Sequence, residues 1–320
     1  MSISQSVTLP SGTPANAALT GIAFKVVSVL VFLVMSSLLK ACDGIPAGEL
    51  VFFRSSIGII PVMIFLAWRG QLIEGFKTSS VVGQVWRGLV GTASMATGFF
   101  ALTKLPLPEA ITINYATPLV IVIFGAVFLG ENVRLYRWTA VVIGLIGVLI
   151  IAWPSLTLIN SGVSQEVAIG AISALLSCCF SGVAMLLVRR LVQREKSSTI
   201  VLYFLISSSI IALVTVPFGW VMPTSLQAMY LIGAGFAGGI AQILLTESYR
   251  HAEMSVVAPF EYSSLIFSVL IGYFFFGDVP TLFIWVGGVI VIGSGLFIIY
   301  REHRLGLDRS EARQLSTPQG

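Results

Sequence analysis

Seven residues place polar chemistry inside stretches of this chain that are otherwise apolar: Arg54, Arg87, Asn114, Tyr115, Gln242, Glu261 and Tyr262. Glu261 is the most informative. It lies six residues past Ser255, near the start of an apolar run, so a helix there holds it about 9 Å deep at 1.5 Å per residue. A carboxylate facing lipid near the centre of a membrane helix costs about 2.5–3.5 kcal/mol on insertion scales. It therefore faces the protein interior, either as a hydrogen-bonded structural group or as a contact for a substrate cation or a coupling proton. Arg54 sits about seven residues into another run, about 10 Å deep. Glu49, five residues earlier, is too far round the helix to pair well with it. A guanidinium at that depth can take a carboxylate or phosphate by paired hydrogen bonds, or pair with another helix. Arg87 lies nearer the end of its run and reads as an interfacial anchor or a pathway residue. Gln242 shares a run with Glu247, whose partner on the same helix would be Arg250, three residues on.

The elements that must position these groups follow from composition. Of 320 residues, 56% are hydrophobic and 10% charged, and mean hydropathy is +0.96. Soluble domains usually carry about 25% charged residues, so the solvent of this chain is lipid. Spans of about 20 apolar residues are expected over roughly 19–41, 47–68, 83–103, 108–129, 135–153, 167–188, 199–220, 226–248, 254–276 and 282–300. The predicted fold is all-α integral membrane, with ten transmembrane helices. The tails, Met1 to Ala17 and the end beyond Tyr300, are expected to be disordered, and no basic n-region suggests a cleaved signal. With both termini in the cytoplasm, 14 of the 18 Lys and Arg fall on the inner side, as topogenic charge requires. The net charge of +4 is therefore membrane-facing and implies no nucleic-acid partner. Cys42, Cys178 and Cys179 build neither a disulfide framework nor a metal site.

The chain also contains itself. Residues 101–153 align without a gap on 248–300, matching Tyr115 with Tyr262, Gly125 with Gly272, Phe128 with Phe275, Glu131 with Asp278 and Trp138 with Trp285. Five spans per half make the two copies inverted, the architecture of carriers that bind at a repeat interface near the midplane. The expected division is tail 1–18, first repeat 19–153, linker 154–166, second repeat 167–300 and tail 301–320. Asn114 is the repeat mate of Glu261. Its helix face continues through Thr117, Pro118 and Ile121, and that of Glu261 through Ser264, Leu265 and Ser268. Two such polar stripes, with Tyr115 and Tyr262 beside them, could face each other across a central cavity. Spans 5 and 10, uniformly apolar and rich in small residues such as Gly144, Gly147, Gly287 and Gly288, are expected at the periphery.

Phe52-Phe53-Arg54, Arg87-Gly88, Pro108-Glu109-Ala110 through Pro118-Leu119, Phe128-Leu129-Gly130-Glu131 and Tyr136-Arg137-Trp138 together resemble the drug/metabolite transporter superfamily, specifically its ten-helix proteins with two EamA domains. The resemblance covers about residues 20–300. Gly277-Asp278 replaces the usual Gly-Glu, so the second copy is the more diverged. It implies a carrier of a small organic metabolite, such as an amino acid derivative, an S-adenosylmethionine-like compound or a vitamin. The absence of a nucleotide-binding motif makes a gradient the energy source and leaves no cofactor to bind. A coupling proton and a homodimer are compatible partners beside substrate and lipid. The rival reading, an integral-membrane enzyme acting on a lipid or prenyl substrate, needs an Asp-rich or His-bearing loop at the membrane face, and the sequence has none. The expected location is a bacterial inner membrane.

Overall fold

The computed structural model describes residues 14–129, 135–157, 162–191, 194–251 and 258–315. All regular structure among them is helical. The long helices of the first half are α1 (Pro14–Lys40), α2 (Ala47–Trp68) and α4 (Val81–Lys104), a broken pair α5 (Leu107–Asn114) and α6 (Thr117–Leu129), and α7 (Leu135–Thr157). A short interfacial turn, α3 (Leu72–Gly75), follows α2. The second half has α8 (Gly162–Leu191), α9 (Ser197–Leu213), α10 (Ser225–His251), a 3-10 turn (Ala258–Tyr262) leading into α11 (Ser263–Ile271), and α12 (Leu282–Leu315). Five of these segments are long and apolar enough to cross a bilayer, and four shorter ones are apolar throughout. The tenth, α4, spans by length but carries Gln84, Arg87, Thr92, Ser94 and Thr97.

Some boundaries differ from expectation. The first helix begins at Pro14, where a proline costs no hydrogen bond because the first-turn N–H groups have no helical partner. The last helix runs on to Leu315 rather than giving way to disorder at Tyr300, since no proline interrupts the chain before Pro318. The seventh span stops at Leu213, ahead of Pro217 and of Gly219 at φ +94°. Ser255, Glu131 and Arg134 lie outside the described residues. The end of α2 is set locally: Gly70, at φ +65°, lets its own N–H bond Ala67 O and that of Gln71 bond Leu66 O, both at 2.9 Å. This double closure is the left-handed glycine cap of helix ends.

Helix pairing respects an exchange of the two halves. The first helix packs on α10 as α4 packs on α8; α2 packs on α10 as α4 packs on α9; and the self-related pairs α2–α9, α7–α12 and α5–α11 meet. This is what two inverted five-helix repeats require. The pair α7–α12 sits to one side, its backbones close because a Cβ on Gly147 would lie 2.9 Å from Gly287 O.

Both self-mated fourth helices are discontinuous. Pro118 has no N–H to give Asn114 O and its ring crowds that carbonyl, so the helix breaks at Tyr115 and Ala116. In the second half the 3-10 turn becomes α-helix between Tyr262 and Ser263, one residue from the equivalent place. Tyr115 and Tyr262 meet there edge to face, centroids 5.2 Å apart, and the Tyr115 hydroxyl reaches Ser264 Oγ. The two polar stripes thus touch at their tyrosines instead of facing each other across a void.

At one end Lys40 Nζ bonds Leu105 O at 2.6 Å and lies 3.7 Å from Asp278, whose carboxylate accepts Leu107 N–H at 3.0 Å at the start of α5. At the other, Glu195 Oε1 accepts Thr78 Oγ1 at 2.7 Å, Ser79 N–H at 2.6 Å and Ser80 N–H at 3.0 Å. Lys196 pairs with Glu74 beside it. The two halves are therefore clamped at both ends.

Candidate functional site

Between the halves lies a cavity of about 370 Å³, walled by α1, α2, α4, α5, α6, α8 and α9. That size falls in the range of small-molecule sites. Neither α7 nor α12 contributes a lining residue, but neither do α10 and α11, so the eight other spans do not all surround the cavity. One wall is hydroxylic: Ser94 Oγ lies 2.6 Å from Ser181 Oγ and donates to Ser177 O at 3.1 Å. These hydroxyls recur on single faces of α4 and α8, whose small residues let the two helices approach closely. Asn114, at the end of α5 beside the break, reaches the cavity while one N–H of its amide is held by Ala110 O at 3.1 Å. Its Oδ1 accepts from the Cys178 thiol at 3.8 Å, which leaves the second amide N–H for a ligand.

A cationic patch adjoins the hydroxylic wall, continuing along the face of α4 that carries Arg87, Gly91 and Ser94. Arg54 enters from α2 and Arg87 from α4, and both converge on Phe204 of α9. The Arg87 guanidinium carbon is 4.1 Å from that ring's centroid and the Arg54 carbon 6.0 Å. Arg87 is thus no interfacial anchor. Its side chain runs inward over Gly91, where a Cβ would stand 1.9 Å from Arg87 Nη1. Glycine at 91 is what lets the guanidinium lie against the helix and under the ring. Nε and Nη1 of both arginines are inaccessible and make no hydrogen bond. Glu49 does not serve Arg54: its carboxylate accepts Val221 N–H at 3.1 Å. Stacking on an aromatic face contributes about 0.5–2 kcal/mol per guanidinium. A charged arginine in a membrane interior costs about 2.5–3.5 kcal/mol or more. The stacking therefore offsets only part of the cost, and it leaves Nε and Nη1 of both groups without an acceptor.

The remaining sequence candidates lie elsewhere. Glu261 does not line the cavity. Its carboxylate pairs with Lys25 of α1, which is 3% exposed while the Glu261 side chain is 52% exposed. The expectation that Glu261 faces a central cavity is therefore corrected: its side chain sits on the α1 side of the 3-10 turn, because a buried lysine there demands a counter-charge. Lys25 is the residue that sequence reasoning missed. A lysine inside the first span was visible, but which helix answers it depends on packing. Tyr115 and Tyr262 form the contact between repeats described above and are not cavity walls. Gln242 lies on α10, also outside the lining. Glu247 is ion-paired with Arg69 of α2 at 3.0 Å; the Arg250 side chain lies outside the described residues. Phe204 and the Ser94, Ser177 and Ser181 group were not singled out from sequence, where one Phe or Ser among many carries no signal.

Two pseudo-symmetric helical halves, broken fourth helices and a cavity between them that carries a few polar side chains define a membrane carrier of the two-repeat class. The chain belongs to the EamA-like transporter family, which matches residues 16–153 and again 168–300. It is 28% identical over 279 residues to the pseudopaline exporter CntI of Pseudomonas aeruginosa, covering 85% of this chain and 93% of that one. It is 27% identical over 256 residues to the S-adenosylmethionine uptake transporter of Rickettsia conorii, covering 80% and 84%. To the riboflavin transporter of Rhizobium johnstonii it is 28% identical over 291 residues, covering 89% and 90%. A solved crystal structure superposes with a TM-score of 0.63 at 19% identity, covering 92% of this chain and 99% of that one; at that identity it speaks for the fold alone. The protein is a multi-pass membrane transporter of small metabolites, with lipid as its environment.

Proposed function

We propose that this chain moves a small organic metabolite by gradient-driven alternating access, binding it in the cavity between the halves, and that it does no chemistry on its cargo. The observation that carries the proposal is the cavity itself. It is lined by side chains from both repeats, Arg54, Arg87 and Asn114 from the first and Ser177 and Ser181 from the second, beside two interrupted helices of the kind that build carrier sites. The named activities of the three relatives support a soluble metabolite as cargo and leave both import and export open. Both termini are assigned to the cytoplasm of a bacterial cell, because the Lys and Arg excess lies on their side. Glu261 and Lys25, one from each repeat, are the proposed place for a coupling proton: protonating the carboxylate would release the lysine and loosen α1 from the second half.

Two experiments test this. In proteoliposomes, Ser94→Trp fills the cavity and is expected to abolish counterflow of whichever metabolite the wild type exchanges; counterflow surviving that substitution refutes the cavity as the transport site. On a background lacking Cys42, Cys178 and Cys179, a cysteine at Asn160 is expected to label in intact cells. Labelling only after permeabilisation would reverse the orientation.

A further inference from the structure

We infer that the cavity selects a doubly anionic cargo, a compact dicarboxylate or phosphate monoester, and disfavours cations. The inference rests on the reading of the cavity as the transport site and names the chemistry of what it takes. Arg54 and Arg87 bring two positive charges to one wall, both over the Phe204 ring and so within about 10 Å of each other. No carboxylate among the described residues pairs with either guanidinium. Their Nε and Nη1 atoms are out of contact with solvent and unbonded, although a buried guanidinium normally finds acceptors. Both guanidinium carbons lie over the Phe204 ring, and Gly91 clears the path for one of them. Those N–H groups, closed to solvent here, are the ones that a cargo's planar oxygen pairs would satisfy once admitted, the geometry that guanidinium recognises in carboxylate and phosphate. Two such groups ask for two negative charges. Asn114 and the Ser94–Ser181 hydroxyls in the same cavity supply neutral donors and acceptors for the rest of the molecule. The ionisable residue expected to balance a positive substrate group, Glu261, is absent from the wall and occupied with Lys25. A cation entering here would meet two like charges and no counter-charge.

The test is thermal denaturation of purified protein in lipid nanodiscs with succinate, glycerol phosphate, S-adenosylmethionine or sodium chloride at matched ionic strength. Succinate or glycerol phosphate is expected to raise the melting temperature; which of the two acts tells carboxylate from phosphate. Arg54→Gln and Arg87→Gln are each expected to weaken that response about 10- to 100-fold, as loss of bonds to a charged group does. Gly91→Ala, which drives the Arg87 tip off the ring, should weaken it too. Without ligand, the two Gln variants should melt no lower than wild type, because each removes an unpaired buried charge; a structural role for the arginines would lower both. No response to either dianion, an equal response to chloride, or a response retained in both Gln variants overturns the inference. Counterflow separates this from failure of the underlying reading. If S-adenosylmethionine exchanges, Ser94→Trp blocks it and Arg54→Gln does not, the cavity stands and the dianion falls. If exchange survives Ser94→Trp, the cavity itself falls.

Discussion

At the scale of single residues, the ionic groups fall into two kinds. Arg54 and Arg87 lie over an aromatic ring and have no counter-charge among the described residues, whereas Lys25 and Glu261 answer each other. The second arrangement makes a prediction. Surface pairs contribute about 0–1 kcal/mol, while breaking a buried pair costs about 3–5 kcal/mol. With Lys25 buried and Glu261 half exposed, Glu261→Gln is expected to destabilise by about 1–3 kcal/mol, between those limits. The double variant Lys25→Met/Glu261→Gln should recover most of the loss, because it leaves no buried charge unpaired. A double-mutant cycle by thermal denaturation measures this. The same double variant decides the proton proposal. Once folded, it should have lost the pH dependence of uptake; transport at the wild-type rate across the pH range would make the pair structural.

At the scale of elements, helix interruption and close helix packing have separate causes. Pro118 breaks the fourth span because it lacks a donor, a consequence readable from one residue. The α7–α12 contact depends on the absence of side chains. A Cβ on Gly287 would lie 2.6 Å from Gly147 O and 2.5 Å from Ile151 Cγ1, so backbone would have to move. Gly287→Val is accordingly expected to cost about 1–3 kcal/mol or more. Gly293, on the same helix, has nothing within 4 Å of its Cβ position; Gly293→Ala should be neutral or gain up to about 1 kcal/mol from helix propensity. Equal effects of the two substitutions on the melting temperature would show that the contact does not hold the helices together.

At the scale of the whole molecule, the halves are joined by end clamps as well as by helix faces. Glu195 reaches from the second half to the loop before α4. Burial alone would raise its carboxyl, but the hydrogen bonds from Thr78, Ser79 and Ser80 outweigh that and hold it below the ordinary value of 4.5. A carboxyl depressed in the folded state stabilises it above its unfolded pKa, and that contribution is lost as pH falls through the folded one. Glu195→Gln is therefore expected to melt lower than wild type by about 1–2 °C at pH 7. The gap should persist down to about pH 5 and close below 4.5. A gap that widens in acid would mean that Glu195 acts by some route other than its charge.

Much of this architecture was legible without coordinates. Hydropathy and length located ten helices, and the register of Tyr115 on Tyr262 exposed the repeat, because both signals are local or are written twice in the same chain. That Arg54 and Glu261 are charges set within apolar runs was legible too. Azimuth was not. Whether a side chain at a given depth turns toward a cavity, a neighbouring helix or the repeat axis is set by how helices rotate and cross, and that is decided by packing among residues far apart in sequence. Hence Glu261 found Lys25, 236 positions away, and two arginines from different helices came to share Phe204 of a third. The sequence by itself determined that this is a ten-helix, two-repeat membrane chain with charges buried in its spans. Only the tertiary structure decided which of those charges are mutually satisfied and which remain for a ligand, because charge balance in a low-dielectric interior is a property of the neighbours each group is given.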